Sequence, residues 1–199
     1  MDFQLIINNF LVILQGLDET LILIFLSLIL GFFISIPFAL ARVSSIKVLS
    51  QSIYYYIFVI RGTPLLVQIY LIYFGLGSIK AVRESFLWIL LKEPFWCGVI
   101  ALVINTVAYT TEIFRGGIQS VNKGQIESCK SLGMNKFTMY FKIILPCAFR
   151  QALPAYGNEI ILMVKATSLV SLTTYMEMTG IARSIMYKTF APVEAFIVV

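Results

Sequence analysis

Histidine is absent from the 199 residues. This removes imidazole as a general acid or base near neutral pH and takes away a usual ligand of zinc and haem centres, so no metal site is expected. Charge is scarce as well, at 13% of residues against roughly 25% in an ordinary soluble domain, while 59% are apolar. The 15 Lys and Arg against 10 Asp and Glu leave +5. Apolar runs break up this modest excess, which excludes a nucleic-acid-binding face, and no nucleic-acid partner is expected. The three cysteines, Cys97, Cys129 and Cys147, lack metal-type spacing. Cys129 and Cys147 flank a basic segment placed below in the cytoplasm, where a disulfide framework does not form. No Gly-x-x-x-x-Gly-Lys-[Ser/Thr] run occurs, so the chain has no evident cradle for ATP phosphates and no cofactor of its own. The opening residues carry Asp2 where a secretory signal needs a basic region. Flexible linkers, low-complexity runs and repeat periods are all missing, which leads to the expectation of a single integral-membrane domain over 1–199.

What the chain has instead is long apolar stretches. A membrane-crossing helix needs about 20 mostly apolar residues. Thr20 to Ala41 supplies them without one charge. Leu49 to Gly77 follows, interrupted by Arg61-Gly62-Thr63-Pro64, and Pro64 predicts a start or kink within one bent span. Phe95 to Phe114 is a third candidate, with Asn105, Thr106, Tyr109, Thr110, Thr111 and Glu112, a polar load suited to a bundle interior. A fourth runs from Pro154 to Leu172 and holds Asn158, Glu159 and Lys165. Ala191 to Val199 opens a fifth apolar run, too short to cross, since nine helical residues rise about 13 Å. The fold expected is therefore all-α, with four spans and the start of a fifth. The clusters Tyr54-Tyr55-Tyr56 and Phe95-Trp96, near span ends, read as interfacial aromatic belts.

Orientation follows the loop cations. The segment 115–150 holds Arg115, Lys123, Lys130, Lys136, Lys142 and Arg150 against Glu127 alone, which assigns it to the cytoplasm. The loop with Arg42 and Lys47 is then also inside. The loop Ser78 to Pro94 and the N-terminal segment with Asp2, Asp18 and Glu19 lie outside.

Within the cytoplasmic segment, Lys123-Gly124-Gln125-Ile126-Glu127-Ser128-Cys129-Lys130-Ser131-Leu132-Gly133 is followed, nine residues later, by Ile143-Ile144-Leu145-Pro146. Gln125 to Leu132 suits about two helical turns, Gly133 can end them at positive φ, and Ile126 meets Cys129 or Lys130 on one face. The pattern resembles the signature of permeases of binding-protein-dependent ABC importers, Glu-Ala-Ala, three residues, Gly, nine residues, Ile-x-Leu-Pro. Glu127, Gly133, Ile143, Leu145 and Pro146 occupy matching positions, while Ser128-Cys129 stand where two Ala are usual.

Four further stretches resemble the polar amino acid branch of that family and, within it, membrane subunits of histidine, lysine, arginine, ornithine or opine systems. They are Ala41-Arg42-Val43-Ser44-Ser45, Arg61-Gly62-Thr63-Pro64-Leu65, Asn105 to Phe114 with Tyr109-Thr110-Thr111-Glu112, and Leu153 to Met163. The resemblance implies a type I ABC importer transmembrane fold in a bacterial inner membrane and transport of basic amino acids. Glutamine or another polar amino acid is the alternative substrate. It implies a coupling helix built from Gly124, Gln125, Glu127, Ser128, Cys129 and Gly133 that docks on an ATPase. The partners implied are an ABC ATPase dimer that uses ATP and Mg, a second homologous permease subunit, an extracytoplasmic amino-acid-binding protein and membrane lipid. Five spans are usual in the family, so this chain reads as truncated or unusually short.

Ionisable groups in hydrocarbon are costly and tend to face a bundle interior or a wet pathway. Asn105, Tyr109 and Glu112 recur at helical spacing on one face, and Glu112 there either meets a cationic substrate or pairs with Arg115. Asn158 and Glu159 are pathway candidates on the same reasoning. Glu159 and Lys165 fall on opposite sides of a helix, so each needs another partner, and Lys165 suits interfacial snorkelling. An ion-coupled secondary transporter or channel, or a non-transporting scaffold, remains open as a competing class.

Overall fold

The computed structural model describes residues 3–199, and every regular element among them is helical. Asp2, counted above with the acidic N-terminal segment, lies outside the described residues. In chain order the elements are α1 (Phe3–Leu14), α2 (Leu17–Arg42), α3 (Lys47–Gly62), α4 (Leu65–Tyr70), a π-helical turn (Leu71–Gly75), α5 (Leu76–Ser78), α6 (Lys80–Arg83) and α7 (Trp88–Leu91). There follow α8 (Pro94–Gln119), α9 (Lys123–Ser131), α10 (Lys136–Met139), a second π-helical turn (Tyr140–Ile144), α11 (Leu145–Thr167), a 3₁₀ turn (Ser168–Thr173), α12 (Met178–Thr189) and α13 (Pro192–Phe196).

Among the described residues two helices, α2 and α8, are long and apolar enough to cross a membrane, and up to four spans result if each of two bent helix pairs counts as one. Both have 26 residues, about 39 Å of helix against a hydrocarbon core of about 30 Å. They differ in burial. The most apolar stretch of α2 is 22% buried and that of α8 is 61% buried, so α2 turns Phe25 and Phe33 outward while the polar side chains of α8 sit among protein neighbours. The bend of 103° between α3 and Leu65–Ser78 falls at Thr63-Pro64. Proline removes a backbone donor and pushes the residue before it out of the α region. Gln68 answers part of the disruption by donating from Nε2 to Thr63 O at 3.1 Å and to Thr63 Oγ1 at 2.8 Å. Over the fourth stretch the helix starts at Leu145, upstream of Pro154, which is carried inside α11.

The chain divides into two compact units. The first comprises Met1–Ile29, Thr63–Val103 and Leu162–Val199. Its main core joins Leu23, Ile69, Val99, Leu102, Met163 and Val170. Phe95 and Trp96, read above as part of an aromatic belt, pack against this core, and Phe95 lies 5.7 Å from Tyr175. The 3₁₀ turn after α11 carries Tyr175 to them, a meeting no local spacing reports. A smaller cluster of Ile13, Ala182, Ile185 and Ala195 ties α1, α12 and α13 together. The residues expected to open a fifth span thus form the short α13, with Ala195 fully buried against that cluster.

The second unit comprises Leu30–Gly62 and Ile104–Ile161. Phe32 is its aromatic centre, edge-on to Phe114 at 5.5 Å, Phe149 at 6.1 Å and Tyr156 at 5.5 Å. Gly31 lets α2 approach α8 closely, since a Cβ there would come within 2.3 Å of Thr106 Cγ2. Tyr56, placed in the belt by sequence, turns inward and donates to Ile104 O at 2.6 Å, whereas Tyr55 stays exposed.

Candidate docking helix and charged groove

Both candidate sites lie in the second unit. The first is α9. Asn122 supplies its N-cap, with Oδ1 accepting from Gly124 N at 2.8 Å, and an asparagine just before a helical stretch is the sequence signal for such a cap. Side-chain oxygens at this position satisfy an otherwise orphaned helix donor. The helix ends as the glycine predicts: Gly133 adopts φ 73°, its N–H meets Lys130 O at 3.0 Å, and Met134 N–H meets Cys129 O at 3.1 Å. Such left-handed ends suit glycine because it has no Cβ to clash.

One face of α9 is anchored and the other is open. Cys129 is buried with Val121, Met139, Ile144 and Ala148, and Ile126 packs against the same cluster. Gly124, Gln125, Glu127 and Ser128 are exposed. Beyond the helix end Leu132 is 80% exposed and Phe137 71%. A second cap, Asn135 Oδ1 accepting from Thr138 N at 2.7 Å, starts α10 immediately downstream.

The second candidate is a groove of about 410 Å³ between the ends of α2, α3 and α8, lined by Arg42, Tyr54, Arg61, Tyr109, Glu112 and Arg115 among others. Helical periodicity builds its walls. Tyr54, Ile57, Phe58 and Arg61 share one face of α3, and Tyr109, Glu112 and Arg115 share one of α8. Arg115 donates to Glu112 Oε2 from Nε at 2.9 Å and from Nη2 at 2.7 Å. Arg42 Nε lies 3.5 Å from Glu112 Oε1, and its Nη1 donates to Ser50 Oγ at 3.0 Å. Two rings back the cations: Arg42 stands 5.2 Å from the Tyr54 centroid and Arg61 4.9 Å from that of Tyr109.

The sequence-selected polar residues therefore separate. Tyr109 and Glu112 line the groove, while Asn105, predicted on the same face, is not part of its lining. Glu159 is buried and accepts from Thr106 Oγ1 at 3.4 Å, with the charge of Arg61 acting on it. Asn158, its neighbour, is exposed, and so is Lys165. Arg42, Arg61 and Tyr54 were not singled out beforehand as site residues. Their signal was available only as arginines at the ends of apolar runs. Among the described residues no group of His, Cys, Asp or Glu is arranged to hold a metal ion.

Among the described residues all regular structure is helical, with the exposed, glycine-ended α9 following the long apolar α8, and comparison with known proteins places the chain in a family. Residues 27–199 match the family described as binding-protein-dependent transport system inner membrane component. The chain is 50% identical to the nopaline transport system permease protein of Agrobacterium fabrum over 199 residues, all of this chain and 83% of that one. It is 42% identical to the histidine/lysine/arginine/ornithine transport system permease protein of Escherichia coli, over 91% of this chain and 76% of the relative. A chain in the crystal structure of an amino acid ABC transporter with histidines superposes with a TM-score of 0.86 at 38% identity, covering all of this chain and 88% of that one. The protein belongs to the inner-membrane permease family of binding-protein-dependent ABC transport systems.

Proposed function

We propose that the chain is the permease subunit of an ATP-driven importer of basic amino acids of the histidine, arginine and lysine type. The observation that carries the reading is α9: the residues of the family signature form a short exposed helix, capped at Asn122 and ended by Gly133, in a chain whose relatives are named as amino acid permeases. In this reading Gly124, Gln125, Glu127, Ser128, Cys129 and Gly133 couple the membrane helices to an ATPase dimer, whose ATP and Mg drive alternating access. A second permease subunit and an extracytoplasmic binding protein complete the system.

The chain is read as one permease domain, since α2, α8 and α11 each contribute residues to both compact units. Four spans with the N-terminus outside fit the helices and the cation-rich segment 115–150. Tyr109 and Glu112, together with Asn105, Asn158 and Glu159, are the candidates for the substrate path.

The test is uptake of labelled arginine and histidine, with glutamine as comparison, into proteoliposomes holding the permease with its membrane partner and ATPase. Binding protein is supplied outside and ATP trapped within. ATP-dependent uptake of the cationic amino acids is the expected result. Preferential uptake of glutamine would overturn the substrate class, and uptake driven by an ion gradient without ATP would overturn the energy source.

A further inference from the structure

We propose that the groove between α2, α3 and α8 is an oxyanion site and that it receives the carboxylate of the transported amino acid, not its cationic side chain. The inference rests on the importer reading above and assigns the groove a ligand chemistry.

The lining contains three arginines, Arg42, Arg61 and Arg115, and one carboxylate, Glu112. The carboxylate is already ion-paired with two of these arginines. Arg115 makes two hydrogen bonds to Oε2, and Arg42 stands 3.5 Å from Oε1. A cation arriving at Glu112 would have to displace one guanidinium and sit beside the other, and like charges at that separation repel strongly where water is scarce. Glu159, outside the lining, is buried and feels the charge of Arg61. Counting it too, cations still outnumber anions by three to two.

Unused hydrogen-bonding capacity in the lining lies on two arginines and on one carboxylate oxygen, Glu112 Oε1, which is buried without a hydrogen-bond partner. Arg61 is held over the Tyr109 ring at 4.9 Å. Among the described residues it makes no hydrogen bond, and a contact with a ring face engages the guanidinium charge without using its N–H donors. Arg42 Nε is buried with no hydrogen-bond partner, because its contact with Glu112 is an ion pair and not an aligned hydrogen bond. A planar carboxylate matches the fork of a guanidinium and can be held by two parallel bonds. The volume of about 410 Å³ falls in the range of about 300–1,000 Å³ typical of small-molecule sites.

The phosphate of an anionic lipid headgroup presents the same oxyanion chemistry, and basic pockets between membrane helices do hold such headgroups. The experiment therefore separates the two sources. Purified permease–ATPase complex, without binding protein, is incubated with labelled L-arginine, and displacement is measured with L-arginine, L-glutamine and agmatine, which keeps the guanidinium side chain but lacks the carboxylate. Agmatine is expected to compete at least about tenfold more weakly than L-arginine, the scale of a lost charge-assisted bidentate contact. L-glutamine, which keeps the carboxylate, is expected to compete more strongly than agmatine. In Arg61→Gln the affinity for L-arginine falls and the difference between L-arginine and agmatine disappears, while Arg61→Lys retains part of it. Size-exclusion chromatography establishes that each variant assembles, and should Arg61→Gln fail to do so, the wild-type competition and Arg61→Lys decide.

Equal competition by agmatine and L-arginine overturns the proposal. So does unchanged arginine binding in Arg61→Gln. If phosphatidylglycerol co-purifies with the wild type, is lost from Arg61→Gln and leaves arginine affinity untouched, the groove holds lipid and the proposal fails. Uptake by the wild-type proteoliposomes is read separately, so failure of the importer reading is distinguishable from failure of the groove assignment.

Discussion

Arg115 holds Glu112 from one turn further along the same helix, through two donors to a single oxygen, Oε2, at 2.9 and 2.7 Å. The other oxygen faces Arg42 from a different helix. Glu112 is thus the joint between α2 and α8 within the second unit, and its side chain is only 18% exposed. Removing the carboxylate leaves two poorly solvated arginines facing one another.

Glu112→Gln is therefore expected to lower stability by about 2 kcal/mol, read as a fall in thermal midpoint of the purified complex in detergent. Glu112→Gln combined with Arg115→Gln should lose less than the sum of the single changes, because the second substitution removes the stranded charge. Strict additivity would mean that the pair does not couple. Uptake of arginine and of glutamine should drop by the same factor, since the carboxylate serves the helix joint and not the substrate's positive end.

At the end of α9, Gly133 adopts φ 73°, a conformation that costs an L residue about 1–2 kcal/mol. Nothing crowds the position where its Cβ would stand, so a substitution strains the backbone without a clash. Gly133→Asp should leave the chain in the membrane fraction yet abolish ATP-dependent uptake. Wild-type uptake by that variant would remove the coupling role from α9.

The opposite end of the same helix rests on Asn122, whose Oδ1 takes the Gly124 N–H. Asn122→Ala should cost about 1 kcal/mol of local helix stability. Faster amide exchange over Gly124 to Glu127 would report it, and Asn122→Ser or Asn122→Asp should restore most of the protection. No change in exchange for Asn122→Ala would show that the cap contributes nothing.

Close approach of α2 and α8 at Gly31 makes a compensating pair testable. In Gly31→Ala the new methyl meets Thr106 Cγ2 at 2.3 Å, an overpacking expected to cost on the order of 1–3 kcal/mol. Thr106→Ser in that background removes the offending methyl while keeping the hydroxyl that donates to Glu159. Recovery of most of the lost thermal stability is the expected outcome, and none would place the strain elsewhere.

What could be read from the residues was whatever is local along the chain. Uninterrupted apolar length marked α2, and polar groups amid apolar ones marked α8 as a helix inside the bundle, because a side chain's cost in hydrocarbon depends on its own chemistry. Pro64 foretold the break between α3 and α4, and Gly133 foretold the end of α9, since both act through their own backbone. The pairing of Glu112 with Arg115 was one of two readings open at three-residue spacing. Helix geometry alone permitted it, but a substrate contact was equally compatible.

The rest depended on which helices meet and at what depth. Arg42 reaches Glu112 only because α2 and α8 come together, with Gly31 allowing the approach at Thr106. Arg61 finds the Tyr109 ring, Tyr56 finds the Ile104 carbonyl, and Phe95 finds Tyr175, each across a long separation in sequence. Asn105 satisfied the same helical periodicity as Tyr109 and Glu112, and packing left it out of the groove lining. Periodicity names the residues that share a face, but the partner of that face is set by helix crossing and side-chain packing. For this protein the chain itself specified the long apolar helices and the glycine-ended helix α9, and tertiary structure decided that the carboxylate in α8 would be held between two arginines.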